Sequence, residues 1–411
     1  MLDPYTLRKD FPMYRNSIEM QGKPLVWLDN ASTTFKPDCV LKAVENYYTH
    51  ETSNSHRGDY DLCYNLDVKI QETRETIRKF INAKNSAEIV FTAGATASLN
   101  LVAFGYAMKY LKKDDEILIT EAEHASNVLP WFKIAEVIGC KISYIPLTED
   151  GKLTVDNLKK VISKNTKIVS VAHVTNVLGF VAPIKELAKV AHEYGSIFVC
   201  DGAQSVPHLP TDVQDSDVDF LAFSGHKLCG PTGIGVLYGK FDLLQKMDPF
   251  MSGGGMNTQF DMCGNVGYLN APMKFEAGTV NIEGILGLKA AVDYLASIGI
   301  ENINEYEREL KKYAVEQLLK TENCTIYNPN SEAAIVTFNI NNVFAQDAAT
   351  FLNSKGIACR SGQHCAKILN TFLGTVATVR ASFYFYTTKE DIDALVDAVK
   401  HGKEFLDAYF I

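Results

Sequence analysis

A chain of 411 residues, 46% of them hydrophobic and 22% charged, has the balance of a soluble globular protein, which excludes a disordered or fibrous one. Its net charge of −9, with no block of lysine or arginine, argues against a nucleic-acid partner and leaves only local binding of small anions. The length favours two or three domains.

The opening residues, Met1 to Asp10, have neither the apolar core nor the small-residue cleavage site of a signal peptide. No apolar run is long enough to span a bilayer. The nine cysteines are odd in number, scattered, and include no Cys-x-x-Cys pair, so neither a disulfide framework nor a metal site is indicated. A reducing cytoplasm, without a membrane partner, is the expected setting.

Between about residues 85 and 240, short β-rich apolar runs alternate with helical periods: 88–91, 116–120, 141–145, 167–172, 196–200 and 219–223. Such alternation predicts an α/β fold, a mostly parallel sheet with helices on both faces. Ligands in these sheets sit beyond the carboxyl ends of the strands, where His124, Asn176, Asp201 and Lys227 would fall. Beyond about residue 295 the pattern changes to a helix over 301–319, strands at 334–340 and 357–360, and a helical tail from Lys389. The predicted division is a large domain, 21–295, and a small α+β domain made of 1–20 and 296–411.

Seven places along this frame carry chemistry. The stretch from Phe91 to Leu101 reads as strand, small-residue turn and helix, whose free N–H groups and positive dipole end make a phosphate seat, with the Thr96 hydroxyl added. Thr96 as a plain helix N-cap is compatible with that role. His124 follows the next strand, where it could stack on a ring and handle protons near neutral pH. Asn176 occupies the equivalent place one strand later, although an asparagine before a glycine turn also serves simply to close it. Asp201 ends the strand 196–200; it would keep a pyridine nitrogen protonated, with Gln204 at the ring's phenolic oxygen, or cap the following helix.

Lys227 lies between two core runs, with Ser224 and His226 able to donate to an anion and glycines 225, 230, 233 and 235 letting backbone approach a ligand. Lysine is the side chain that forms a Schiff base with an aldehyde cofactor once desolvated, and with Asp201 one strand earlier the pair looks like a pyridoxal phosphate site. Cys365 stands apart from the other cysteines because Gly362, Gln363, His364 and Arg360 surround it in sequence, a cationic and partly exposed setting that favours a thiolate. Arg380 could clamp a substrate carboxylate with two parallel hydrogen bonds, or be a surface arginine.

These residues in this order resemble the group II (SufS-like) cysteine desulfurases of the class V aminotransferase-like family. The likeness runs through Leu28–Thr34, Ser55–Gly58, Phe223–Gly235, Phe275–Thr279, Arg360–Ala366 and Arg380–Ser382, and covers nearly the whole chain. The resemblance implies pyridoxal phosphate fold type I (aspartate aminotransferase-like), pyridoxal 5'-phosphate as cofactor and L-cysteine as substrate. Lys227 matches the Schiff-base lysine, His124 the ring-stacking histidine, Asp201 the pyridine partner and Gln204 the residue at the phenolic oxygen. Thr96, Ser224 and His226 match phosphate ligands, Cys365 the persulfide-forming cysteine, and Asn176, Arg360 and Arg380 groups around the substrate carboxylate. Thr279 matches a threonine that reaches the phosphate of a neighbouring subunit, which implies a homodimer.

A sulfur-acceptor protein of the SufE or SufU type is also implied. Relatives that hand sulfur to a zinc-containing scaffold tend to carry histidine in the segment matching 341–347, where this chain has none, so the choice of acceptor stays open. The family often has two histidines before the cysteine, where this chain has Gln363 and His364. The implied activity is conversion of L-cysteine to L-alanine with a persulfide on Cys365, for iron-sulfur cluster assembly. Three rivals remain: a selenocysteine lyase, a class V transaminase or kynureninase-like enzyme that needs no Cys365, and a non-catalytic pyridoxal-binding partner.

Overall fold

A computed structural model describes residues 2–55 and 58–402; His56 and Arg57 of the Ser55–Gly58 motif lie outside the described residues. Seven strands form the central sheet: β1 (Ile89–Thr92), β2 (Glu116–Thr120), β3 (Lys141–Ile145), β4 (Thr166–Ala172), β5 (Ile197–Asp201), β6 (Phe220–Ser224) and β7 (Gly235–Gly239). Their order across the sheet is β1-β7-β6-β5-β4-β2-β3. The strands from β6 to β3 are parallel, whereas β7 runs antiparallel to both its neighbours. The reason is the connection: residues 225–234 are too few for a crossover, which needs about a dozen residues or more.

The apolar runs of the inner strands are buried on both faces, as a covered parallel sheet requires, while the edge strand β3 is mostly half-buried. Along β6, Leu221 and Phe223 pack with helices α1 (Asp61–Phe80), α4 (Ile184–Glu193) and α5 (Ile282–Ile298). Phe220 and Ala222 turn the other way, toward α2 (Ala95–Val102) and α3 (Leu129–Ile138). Each fully buried Leu or Phe contributes about 1.5–3 kcal/mol. No helix among the described residues is long and apolar enough to cross a membrane.

Strand β1 forms one edge of this sheet, and unpaired edge groups invite mispairing. Here a buried ion pair covers them. Arg74 of α1 donates to the Ile89 carbonyl at 2.6 Å and to both Glu276 carboxylate oxygens at 2.8 and 2.9 Å, while Glu276 accepts the Phe91 N–H at 2.9 Å. The Arg74 guanidinium also lies over the Phe91 ring, 4.5 Å from its centre.

A second, four-stranded sheet has the order β8 (Cys324–Ile326), β9 (Ile335–Ile340), β11 (Thr378–Ser382), β10 (Arg360–Gly362), all antiparallel. Its apolar core includes residues of α6 (Ile300–Leu319), α7 (Ala345–Ser354) and α8 (Lys389–Lys400). The single strand expected over 357–360 is divided. Ile357–Ala358 pairs in parallel with Val26–Trp27, and the chain then changes partner so that Arg360 faces Arg380 in the second sheet. Ser382 extends this meeting point: its N–H donates to the Leu28 carbonyl at 2.7 Å.

Candidate active site

The carboxyl ends of β2, β4, β5 and β6 open on one cavity of about 180 Å³. Ten of the residues singled out from the sequence line it: Thr96, His124, Asn176, Asp201, Gln204, Ser224, His226, Lys227, Arg360 and Arg380. Cys365 is exposed at a neighbouring, largely apolar cavity of about 720 Å³, and Arg360 joins the two by donating to its sulfur at 3.1 Å.

Thr96 opens α2, where first-turn N–H groups lack helical acceptors. The Ala95 N–H already donates to Ser224 Oγ at 2.8 Å, and the Thr96 and Ser126 hydroxyls meet at 2.7 Å. The turn into this helix depends on Gly94 (φ +147°) and Gly235: a Cβ on Gly235 would stand 2.4 Å from the Gly94 Cα. Such close backbone approach is available only to glycine.

Lys227 follows β6 in a short 3-10 turn (Gly225–Lys227), and its ammonium makes no hydrogen bond among the described residues. Burial draws it down to about 8, against the pull of Asp201 and with Arg380 and Arg360 adding to the effect. Asp201 is buried at the end of β5 and accepts from the Ala203 N–H at 3.0 Å; burial raises its carboxyl, opposed by that bond and by Lys227. Gln204 is held from its amide side, donating to the Ala31 carbonyl at 2.7 Å.

His124 accepts the Ser126 N–H on Nδ1 at 3.1 Å, which leaves the ring proton on Nε2. Burial, then Lys227, Arg360 and Arg380, push it down to about 4, so the ring is neutral at physiological pH instead of titrating there. His226 is likewise lowered to about 4 by burial, Lys227 and Lys36. Its carbonyl accepts from the hydroxyls of Thr33 and Thr34, both at 3.1 Å, which ties the lysine turn to the 28–34 motif.

The arginine end of the cavity is built across the second sheet. Arg380, 1% exposed, donates to Asp29 at 3.0 Å, to Ser32 Oγ at 2.8 Å and to the Asn176 carbonyl at 2.9 Å. Its Nε and Asn176 Oδ1 are buried without a partner among the described residues. Arg360 reaches the same Ser32 hydroxyl at 3.5 Å. Thr279 stands apart: it is exposed, lines neither cavity, and donates to Asn54 Oδ1 at 3.2 Å.

Sequence reasoning attached no role to Asp29, Ser32 or Ser126, which complete these contacts; His364, expected to add positive charge beside Cys365, is instead buried and lowered to about 3 by burial, then Arg380 and Arg360, and so is uncharged. Asp29 and Ser32 do lie in the 28–34 motif, so a signal existed; their arginine partners are far along the chain. Glu123, 3% exposed, was also passed over. It accepts from Thr120 Oγ1 at 2.6 Å and Asn127 Nδ2 at 2.7 Å just before His124.

The family model described as aminotransferase class-V matches residues 26–395. A probable cysteine desulfurase of Halalkalibacterium halodurans is 46% identical over 409 residues, covering 100% of both chains. One of Staphylococcus aureus is 44% identical over 404 residues, covering 98% of this chain and 97% of that one. Among solved structures, the cysteine desulfurase CsdA of Escherichia coli superposes with a TM-score of 0.91 at 37% identity, covering 98% of this chain and 99% of its own. The fold is thus the type I fold of pyridoxal phosphate enzymes. The chain belongs to the aminotransferase class-V family and, within it, to the cysteine desulfurases.

Proposed function

We propose that this chain is a cysteine desulfurase of the group II, SufS-like kind, converting L-cysteine to L-alanine and keeping the sulfur as a persulfide on Cys365 for iron-sulfur cluster assembly. The observation that carries this reading is the Cys365 sulfur, 3.1 Å from Arg360 beside the cavity that Lys227 lines. A transaminase has no use for a thiol there.

The donor set fits pyridoxal 5'-phosphate. Lys227 offers an amine to its aldehyde, Asp201 a carboxylate to its ring nitrogen and Gln204 an amide to its phenolic oxygen. Its phosphate suits the first turn of α2 with Thr96, Ser224 and His226, a turn whose shape depends on the close approach of the Gly94 and Gly235 backbones. When bound, the cofactor supplies the electron sink that makes the substrate's α-proton and carbon–sulfur bond labile.

The chain's own residues do the rest. Arg380, Arg360 and Asn176 hold the substrate carboxylate. Lys227 Nζ, lowered to about 8, accepts the α-proton. His124 packs in the cavity with its proton on Nε2. The Cys365 thiolate bonds to the substrate sulfur as the carbon–sulfur bond breaks; the electron pair stays on the β-carbon, which takes a proton, and the proton held by Lys227 returns to the α-carbon to give L-alanine.

The same reading assigns residues 21–295 to a large cofactor-binding domain, with 1–20 and 296–411 as the small domain that carries the cysteine loop. It takes the exposed Thr279 toward the cofactor phosphate of a second copy in a homodimer, and the persulfide to an acceptor of the SufE or SufU type in the cytoplasm. Incubating the pure protein with L-cysteine, L-selenocysteine and L-kynurenine, and measuring alanine, sulfide, selenide and anthranilate separately, tests the assignment. Alanine from L-cysteine together with a persulfide on Cys365 is expected; anthranilate without either would replace it.

A further inference from the structure

We propose that His364 is the positioning residue that aims the Cys365 sulfur; the inference rests on reading Cys365 as the sulfur carrier. Strand β10 ends at Gly362, opposite Thr378 of β11, and the chain then turns back. Gly362, His364 and Cys365 have φ of +111°, +50° and +58°. For the two residues with a Cβ that region is sterically disfavoured, so the turn must be held from outside.

Three sets of hydrogen bonds, to Thr378, Asn176 and Ala125, hold it. His364 Nε2 lies 2.9 Å from Thr378 Oγ1 and 3.1 Å from the Thr378 carbonyl. A carbonyl only accepts, so Nε2 carries the ring proton. The His364 carbonyl accepts from Asn176 Nδ2 at 2.8 Å, and the Cys365 carbonyl accepts from the Ala125 N–H at 2.7 Å. Only the first of these is made by a side chain of the turn itself.

The burial pattern points the same way. Gln363 and Cys365 are exposed, whereas the imidazole between them is 2% exposed. Burial, then Arg380 and Arg360, push it down to about 3, so the ring works as an uncharged anchor and not as a proton carrier. Releasing it would let the turn relax and carry the sulfur away from Arg360, and a misplacement of about 1 Å at a reacting atom can cost on the order of a hundredfold in rate.

The test compares His364→Leu, which keeps bulk and removes the donor, with His364→Gln, whose Nε2 can still reach Thr378. In the cofactor-loaded protein, His364→Leu should lower kcat for alanine formation from L-cysteine by roughly tenfold or more, with KM within about twofold and cofactor absorbance unchanged. His364→Gln should recover most of that loss. The rate of iodoacetamide alkylation at Cys365, read by mass spectrometry, should shift in the leucine variant and return in the glutamine variant. If His364→Leu does not fold, Thr378→Val, which removes the nearer acceptor, should lower kcat at least about threefold. Parental kcat and alkylation rate in His364→Leu, or in Thr378→Val where it stands in, would overturn the proposal, as would a glutamine variant as impaired as the leucine one. A parent protein that makes no alanine from L-cysteine would refute the desulfurase reading instead, and the alkylation rates would still decide the role of His364.

Discussion

Arg360 and Arg380 face each other directly across the antiparallel strands β10 and β11. Like charges in that register destabilise a sheet unless something lies between them. Asp29 answers Arg380 at 3.0 Å, the Ser32 hydroxyl bridges both guanidinium groups, and Arg360 turns its other nitrogen to the Cys365 sulfur. Two cationic groups are met by one carboxylate, so the site is prepared for an anion. Replacing Arg380 with lysine keeps the charge and loses the planar fork. Steady-state kinetics with L-cysteine should show kcat/KM falling by about tenfold to a hundredfold, the equivalent of roughly 1.5–3 kcal/mol for a charge-assisted pair. Unchanged kinetics would put the carboxylate elsewhere.

Cys365→Ala removes the proposed sulfur nucleophile and its contact with Arg360, and leaves Lys227, Asp201 and the phosphate seat untouched. Cofactor absorbance should persist, and L-cysteine should still perturb it, because Lys227 and Asp201 remain. Alanine and sulfide release should drop to background, with no persulfide on any of the other eight cysteines. Full activity in this variant would return Cys365 to the status of a small loop residue.

Lys227 is lowered to about 8 chiefly by burial, and only a neutral amine attacks an aldehyde. Pyridoxal phosphate added to the apoprotein should therefore be captured faster as pH rises through about 8, followed by absorbance. Borohydride should fix the label at Lys227, and Lys227→Ala should carry none. A label mapping to another lysine would sink the assignment.

The Arg74–Glu276 pair is almost fully buried, with side chains 1% and 3% exposed. Removing one partner leaves the other charged, buried and without its counter-ion, besides uncovering the edge of β1. Arg74→Met should therefore lose about 3–5 kcal/mol in urea denaturation of the apoprotein. A loss under about 1 kcal/mol, as for surface pairs, would mean that water reaches Glu276.

A second prediction of stability concerns His192, whose Nε2 meets Asp219 at 2.8 Å. The bond to Asp219 raises the imidazole, with burial opposing; the raised value means its stabilisation is complete below about pH 6.5 and fades as pH climbs through the folded-state value. For Asp219, burial pushes the carboxyl up, but bonds from His192, Lys240 and the Phe198 N–H outweigh it. That contribution is present above about pH 3.9 and is lost as pH falls through the lowered value. Melting curves of the parent and His192→Gln should differ most near pH 6 and converge at alkaline pH; a constant gap would show that His192 acts only through packing.

The parts of this protein that local spacing could reveal were legible before any fold was known. Runs of alternating β-rich and helical character located the central strands, with 116–120 and 141–145 matching to the residue; burial on both faces demands a near-continuous apolar run in the inner strands, whereas 141–145 is a half-buried edge strand. A lysine caught between two such runs, and a cysteine flanked by Gly362, His364 and Arg360, stood out for the same reason: neighbours in sequence set the local environment. The mostly parallel character of the sheet was legible too, but the order of its strands, the reversal of β7 and the division of 357–360 between two sheets did not show, since all three depend on which distant backbone groups pair. Arg74 and Glu276 are 202 residues apart, Asp29 and Arg380 are 351 apart, and nothing in either sequence neighbourhood names the other. Lys227 could be found as a candidate nucleophile, but its lowered ammonium could not, because desolvation and the charges of Asp201, Arg380 and Arg360 exist only once four separate segments have packed around one cavity.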